Sequence, residues 1–578
     1  MPSILFRNGL IFRAQASELT PEALDTSRHN YADASAVQGR FADCMLVEDG
    51  KLVNAGLETS VSAEKAVQGA EVVDLGGKLV VPGFIDGHSH VLMFGQSLDK
   101  VDLTSCTNLE DIQHKIRQAA TDKPDAPRIL ASGWLQDMTD NLALSKWIDD
   151  VVPHKPVYIE AKDLHSHWCN TKALQELGIT NATPDPEGGE ILRDESGNAT
   201  GLLAEMANIN IVWPSLAKLA SEAEQEDSFS RACDAYLQSG YTGVVEMALD
   251  ELALACILRV KEKRGGSLPI RLAAHWLIRP MGSDEKNIAQ VKVAQELMSK
   301  HNDEFFRVVG IKLVCDGVID GCTAALKEPY FNGTNADPIW PYDVLVPVVQ
   351  YADSVGLQVA LHAIGDQAVH NAVEAIASLG ARLESQGLSV RSRRHRIEHL
   401  ELTDAKDIEK LGRLGITASI QPVHSDPAIL RGWCKMLGDP FNEGRCSRAF
   451  AYREFFESGA PIALGSDAPT ALHWVLPNLY NAVTRRSARQ PSSEERTTPK
   501  FALPLAVALA AASYGAAYSC KADGWSGTLE AGKSADFVVI DTDLFSQHAD
   551  SGDGEKTLLK AKILQTWIQG RKMYDRDA

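Results

Sequence analysis

The sequence predicts an α/β protein: a (β/α)8 TIM-type barrel, a composite β-sandwich drawn from both termini, and a subdomain inserted over the barrel mouth. Three observations predict it. Apolar strand-like runs alternate with helical patterns through the middle of the chain, which is the pattern of a parallel barrel. Both ends instead show short strands broken by Gly-rich turns. Polar residues also recur just past the ends of apolar runs: His88 and His90, then Lys312, His362, His399 and Asp467. A metal centre at the C-terminal mouth of a β/α barrel has this form in one dimension.

The N-terminal part, residues 1–80, carries the strand candidates Ile4-Leu5-Phe6, Cys44-Met45-Leu46-Val47 and Glu71-Val72-Val73-Asp74, with a polar loop insertion from about 14 to 38. Residues 523–578 have the same character. There a turn at Gly532 leads into Phe537-Val538-Val539-Ile540, and Leu564–Met573 breaks like a hairpin at Gly570. Neither end has enough strands to bury a sheet alone, so the two are expected to pair. The barrel is assigned to 81–97 plus 226–522, with strands at 82–87, 242–246, 270–276, 308–314, 357–361, 395–399, 415–420 and 460–465. The gap after the first strand is too long for a loop. Residues 98–225, with strand runs at 128–133 and 156–160, are read as the inserted lid.

The bulk composition excludes more than it selects. At 578 residues the chain exceeds one compact core. A composition of 44% apolar and 23% charged residues is that of an ordinary soluble enzyme. The net charge of −20 argues against nucleic acid and anionic membrane as partners. No run of ~18 apolar residues predicts a transmembrane helix, and Met1–Gly9 is too short and broken for a signal peptide. The ten Cys form no C-x-x-C pair and read as reduced, packed thiols of a cytoplasmic protein. A small-molecule substrate is expected, and a homodimer is the assembly left open.

The chemistry follows from residue types and spacing. His88 and His90 lie two apart, so on a strand both imidazoles point the same way, into the barrel. His362 and His399 each end a further strand. Asp467 can ligate a metal and take a proton from metal-bound water; the alternative is a helix N-cap ahead of Pro469. Lys312 is the least expected member, since a protonated amine is repelled near cations. It suits the site if neutral, or if carboxylated to a carbamate that bridges two metals. The alternatives are a salt bridge to Asp316 or Asp320, or contact with substrate. In the inserted region Trp134, His165 and Trp168, and after the seventh strand His424, are candidate pocket residues for a largely apolar substrate; core packing is the alternative for each Trp.

Together these motifs resemble the amidohydrolase superfamily, in the branch similar to N-substituted formamide deformylases (YtcJ-like). The matching segments are Pro82–His90, Gly310–Gly317, Leu361–Asp366, Arg396–His399, Leu464–Pro469 and Gly532–Asp536. The resemblance implies that His88 and His90 bind the more buried metal, Lys312 bridges as a carboxylated lysine, and His362 and His399 bind the second. Asp467 ligates and acts as base. Zinc is the default ion, two per chain, with another divalent metal open. The implied reaction is hydrolysis of an amide, N-formyl or cyclic amide C–N bond by metal-bound hydroxide. A decarboxylase, isomerase or cyclisation catalyst on the same scaffold is the alternative. One departure is visible: the branch's Asp-Gly-His-Ser is here Asp163-Leu164-His165-Ser166. Leucine does not take a glycine-type positive φ cheaply.

Overall fold

The computed structural model describes residues 3–14, 41–61, 69–140, 142–162, 166–186, 189–205, 207–545 and 556–577. Its centre is an eight-stranded parallel sheet: β1 (Phe84–Ser89), β2 (Tyr241–Leu249), β3 (Arg271–Leu277), β4 (Phe306–Val314), β5 (Gln358–Ala363), β6 (Arg396–His399), β7 (Thr417–Ile420) and β8 (Ile462–Leu464). All eight expected strands are present, and each pairs with its sequence neighbour. These strands are largely apolar because a parallel strand is buried on both faces, and the polar residues they carry are themselves buried.

The ring is drawn together where β8 meets β1. Asp467 N donates to His88 O at 2.8 Å, and Ser466 N donates to Asp86 Oδ1 at 2.8 Å. The approach is so close that only glycine fits the seam. A Cβ on Gly87 would stand 2.6 Å from Leu464 O, and one on Gly465 would stand 2.5 Å from His88 N.

The two chain ends build two further sheets. Ile4–Arg7, Cys44–Glu48, Lys51–Gly56 and Glu71–Asp74 form one. The other interleaves Leu10–Phe12, Phe41–Ala42 and Leu79–Pro82 with Phe537–Ile540, Ile563–Ile568 and Arg571–Asp575. The termini join directly: Val80 pairs with Val539 and Val81 with Val538. Phe6 of the first sheet meets Phe537 and Trp567 of the second edge-on, at ring centroid distances of 5.0 and 5.1 Å. Such aromatic contacts add to apolar burial in a thin core.

Two compact units emerge: Met1–Val91 with Cys233–Glu251 and Lys261–Ala578, and Leu92–Ala232 with Leu252–Val260. The second is a six-stranded sheet of Val101–Asp102, Ile129–Trp134, Val157–Ala161, Ser166–Cys169, Gly189–Arg193 and Ala199–Glu205. Its core gathers Leu103, Ile112, Ile129, Ile148, Val157 and Ile159. Among the described residues no helix is long and apolar enough to cross a membrane.

Reduced thiols were expected throughout; one pair differs. Cys434, in the helix Pro427–Leu437, and Cys446 in the following turn are joined as a disulfide, their Cα atoms 5.5 Å apart. Two cysteines a short loop apart are brought together by the helix folding back on its own exit, which their spacing alone does not reveal.

A buried charge cluster fixes the N-terminal end of β6. Asp353, fully buried at the end of the helix Tyr342–Ser354, accepts from Arg382, Arg393 and His395 Nε2, the last at 3.0 Å. Burial alone would raise this carboxyl, but the His395 and Arg393 donors hold it well below the usual carboxylate range. A depressed folded pKa stabilises above the unfolded value of about 3.9 and loses that contribution as pH falls. Asp353→Asn should therefore cost on the order of 1–3 kcal/mol at neutral pH, because it breaks charge-assisted bonds from two partly exposed arginines and a buried histidine. Urea unfolding of both chains, repeated below pH 4, should show the difference shrinking.

Candidate metal centre

The mouth of the barrel collects the polar residues expected there. His88 and Asp86 share the inward face of β1, with His90 one step past the strand's end. His88 Nε2 lies 3.3 Å and His90 Nε2 3.2 Å from Asp467 Oδ1. The His399 ring packs 4.9 Å from that of His88 and 4.3 Å from that of His362. Lys312, on β4, is only 2% exposed.

Backbone strain sets two of these side chains. Strict alternation along β6 would send Glu398 and His399 to opposite faces. His399 instead takes a φ of +74°, and Leu400 a φ of +54°, which turns the imidazole back toward His88 and His362. Asp467 has a φ of +59°. Left-handed conformations cost of order 1–3 kcal/mol in residues with a side chain and persist where the surroundings over-determine them. The N-cap alternative for Asp467 falls away. A turn follows it, with Thr470 N donating to Asp467 O at 2.9 Å, and the next helix starts only at Val475.

Electrostatics favour the ligand forms. Burial, then the neighbouring Lys312, pulls the His362 imidazole down to about 3, and burial with His362 holds His399 well below its usual value. Neutral imidazole is the metal-binding form. Burial would raise Asp467, but His88 and His90 hold it well below the carboxylate range. Burial lowers Lys312 against the pull of Glu398 and Asp467. The salt-bridge alternative for Lys312 also weakens. Asp316 is taken up by the backbone N–H groups of Ala325, Ile364 and Gly365 at 2.8–3.1 Å, and no ion pair among the described residues joins Lys312 to Asp316 or Asp320.

The donor set fits a divalent metal. His88, His399 and Asp467 each offer a ligand atom within 4.8 Å of the others. His399 Nδ1 is buried with no hydrogen-bond partner among the described residues, although buried polar atoms are normally paired. Imidazole nitrogen with carboxylate oxygen is a zinc-type donor set.

The candidate pocket residues divide. His424 stands at the mouth, its Nε2 3.7 Å from Asp467 Oδ2 and its Nδ1 3.4 Å from Glu401 Oε1. Trp134 and Trp168 take the packing alternative. Both are fully buried in the core of the inserted unit, ring centroids 5.4 Å apart, leaving neither indole a face for a ligand. Trp168 lies opposite Ile159, and a break in register at Gly133, whose φ is +90°, brings Trp134 opposite Ala161, so both indoles join the core that contains the helix residues Ile112, Ile116 and Ile148. His165 lies outside the described residues.

Several site neighbours carried no assignment in the sequence reading. Glu398 Oε2 lies 2.7 Å from His88 Nδ1, and Arg396 donates to both Glu398 oxygens. Asp86, whose carboxyl burial raises to about 7, accepts from Ser466 Oγ at 2.6 Å. Glu401 accepts from Trp433 Nε1 at 3.0 Å. The available signal was the two-residue spacing of Arg396 and Glu398, which puts opposite charges on one strand face inside an otherwise apolar run.

Comparison with known proteins agrees with this geometry. The chain belongs to the amidohydrolase family, whose match spans residues 71–574, and so to the metal-dependent amidohydrolase superfamily of hydrolases. It is similar to the N-substituted formamide deformylase of Arthrobacter pascens, 25% identical over 93% of this chain and 95% of that protein. It is also 26% identical to the putative amidohydrolase YtcJ of Bacillus subtilis strain 168, over 93% of this chain and 97% of the relative. A crystal structure of an uncharacterized metal-dependent hydrolase from Pyrococcus horikoshii OT3 shares the fold with a TM-score of 0.72, covering 95% of this chain and 100% of that one at 23% identity.

Proposed function

We propose that this chain hydrolyses a non-peptide C–N bond, an amide, N-formyl or cyclic amide, in a small and largely apolar substrate. The observation that carries the reading is the convergence of His88, His90, His399 and Asp467 on one point at the strand ends, with His399 Nδ1 left unpartnered. His88, His90, His362 and His399 would hold the metal with Asp467, and a carbamate on Lys312 would bridge a pair of ions. Zinc bound there would acidify a water and polarise the substrate carbonyl.

The chain's own residues do the rest. Asp467 accepts the proton at a carboxylate oxygen facing His88 and His90, then delivers it to the departing nitrogen. Its left-handed backbone, and the bond from Thr470 Oγ1 to the other carboxylate oxygen, Oδ2, at 2.9 Å, hold the group in place. His424, beside the other Asp467 oxygen, orients the substrate. The kinship with a formamide deformylase supports N-formyl compounds as the first substrates to try.

The test is a panel of N-formyl, N-acyl and cyclic amides, with product analysis, against purified protein of measured metal content. One to two zinc-like ions per chain are expected, with amine and acid as products and with activity lost on strong chelation. Native mass should include one extra carbon dioxide. Full turnover after chelation would overturn the reading, and products that keep the C–N bond would transfer it to the non-hydrolytic class.

A further inference from the structure

We infer that Glu398 is a positioning residue for His88. Its carboxylate takes the Nδ1 side of that imidazole so that Nε2 faces the metal centre, and Arg396 locks the carboxylate in place. The inference rests on the metal reading above and extends it to residues that touch no ligand atom.

The geometry is closed on every side. Glu398 Oε2 is 2.7 Å from His88 Nδ1, while His88 Nε2 points to Asp467 Oδ1 at 3.3 Å. A ring nitrogen facing a carboxylate carries the proton, which leaves the lone pair on the other nitrogen. Arg396 and Glu398 lie two apart on β6 and share a face. The guanidinium grips the carboxylate with two prongs, Nε to Oε1 at 2.6 Å and Nη2 to Oε2 at 3.0 Å. The same Nη2 donates to Gly87 O at 2.6 Å and to Ser419 Oγ at 2.7 Å, and Nη1 donates to Ser519 Oγ at 2.9 Å. One buried arginine therefore ties β6, β7 and the residue before His88 to a common frame. Arg396, Glu398 and His88 are each no more than 1% exposed.

A joint needed only for stability has a cheaper solution. A buried ion pair is often matched or bettered by apolar side chains of similar volume. An Arg–carboxylate pair one of whose oxygens also meets a ring nitrogen is instead an orienting device, and such outer partners of a metal-bound histidine typically set metal affinity by 10–100-fold.

The experiment titrates Co2+ into chelator-stripped protein against a competing chelator, following Co2+ affinity and its visible absorption band, with the melting temperature of the metal-free chain as a second readout. Glu398→Gln keeps the shape and removes the charge. The double variant Glu398→Gln/Arg396→Met also removes the guanidinium that the first leaves unpaired, and it carries the test if the single variant does not fold. A fall in Co2+ affinity of roughly 10–100-fold with an altered band is expected, in variants whose metal-free chain still unfolds cooperatively. Variants that melt lower but bind Co2+ within about threefold of the parent, well inside that range, would show a structural joint only and overturn the inference. A parent that binds no Co2+ would overturn the metal reading and this inference with it.

Discussion

Asp467→Asn is expected to lower turnover by on the order of 10²-fold or more, the scale of a lost general base, while much of the metal stays bound. The substitution keeps the size of the side chain and its bond from Thr470 Oγ1, at 2.9 Å in the parent. What it removes is basicity, at a carboxylate flanked by His88, His90 and His424. Because the imidazoles persist, metal content and turnover separate in this variant. Steady-state kinetics beside metal analysis check it. Near-normal turnover would make Asp467 a bystander, and His424, its neighbour across the mouth, would be the next base to examine.

His88→Ala is expected to act the other way, taking the metal and the turnover together. His88 touches Asp467 through one nitrogen and Glu398 through the other, so its loss removes a ligand and strands the carboxylate behind it. The drop in metal affinity should exceed the roughly 10–100-fold cost of deleting an outer partner of such a ligand. Metal analysis after gel filtration, with circular dichroism to show an intact barrel, decides it. A variant that keeps its metal would remove His88 from the centre.

The barrel was legible because parallel strands buried on both faces are written as largely apolar runs, and a charge or imidazole at the end of such a run stands out. That His88, His90, His362, His399 and Asp467 lie together was legible for the same reason, while Asp86, Glu398 and Glu401 beside them were not. How they gather was not. The turn of the His399 side chain depends on a left-handed backbone that alternation along Arg396–His399 contradicts. The partnership of His88 with Glu398 joins residues on strands that are not neighbours in the sheet, so no local pattern announces it. In the inserted unit the strands Gly189–Arg193 and Ala199–Glu205 mix polar and small residues, which hides their period. Trp134 and Trp168 misled because an aromatic residue near a site motif carries the same letter whether it packs a core or meets a ligand.

The pairing of Leu79–Pro82 with Phe537–Ile540 has a consequence for biosynthesis. The strand that leads through Gly83 into β1 pairs with Leu10–Phe12 on one edge and finds its second neighbour only when Phe537–Ile540 has left the ribosome, and Gly83 N then donates to Asp536 O at 2.9 Å. Until that moment the nascent protein carries an open, wholly apolar β-edge just upstream of His88 and His90, the kind of surface on which chains stick to one another. The last strands thus act as a clasp. A message cut short before them yields a chain with every candidate ligand encoded but with one edge of the strand that leads to the first two left open.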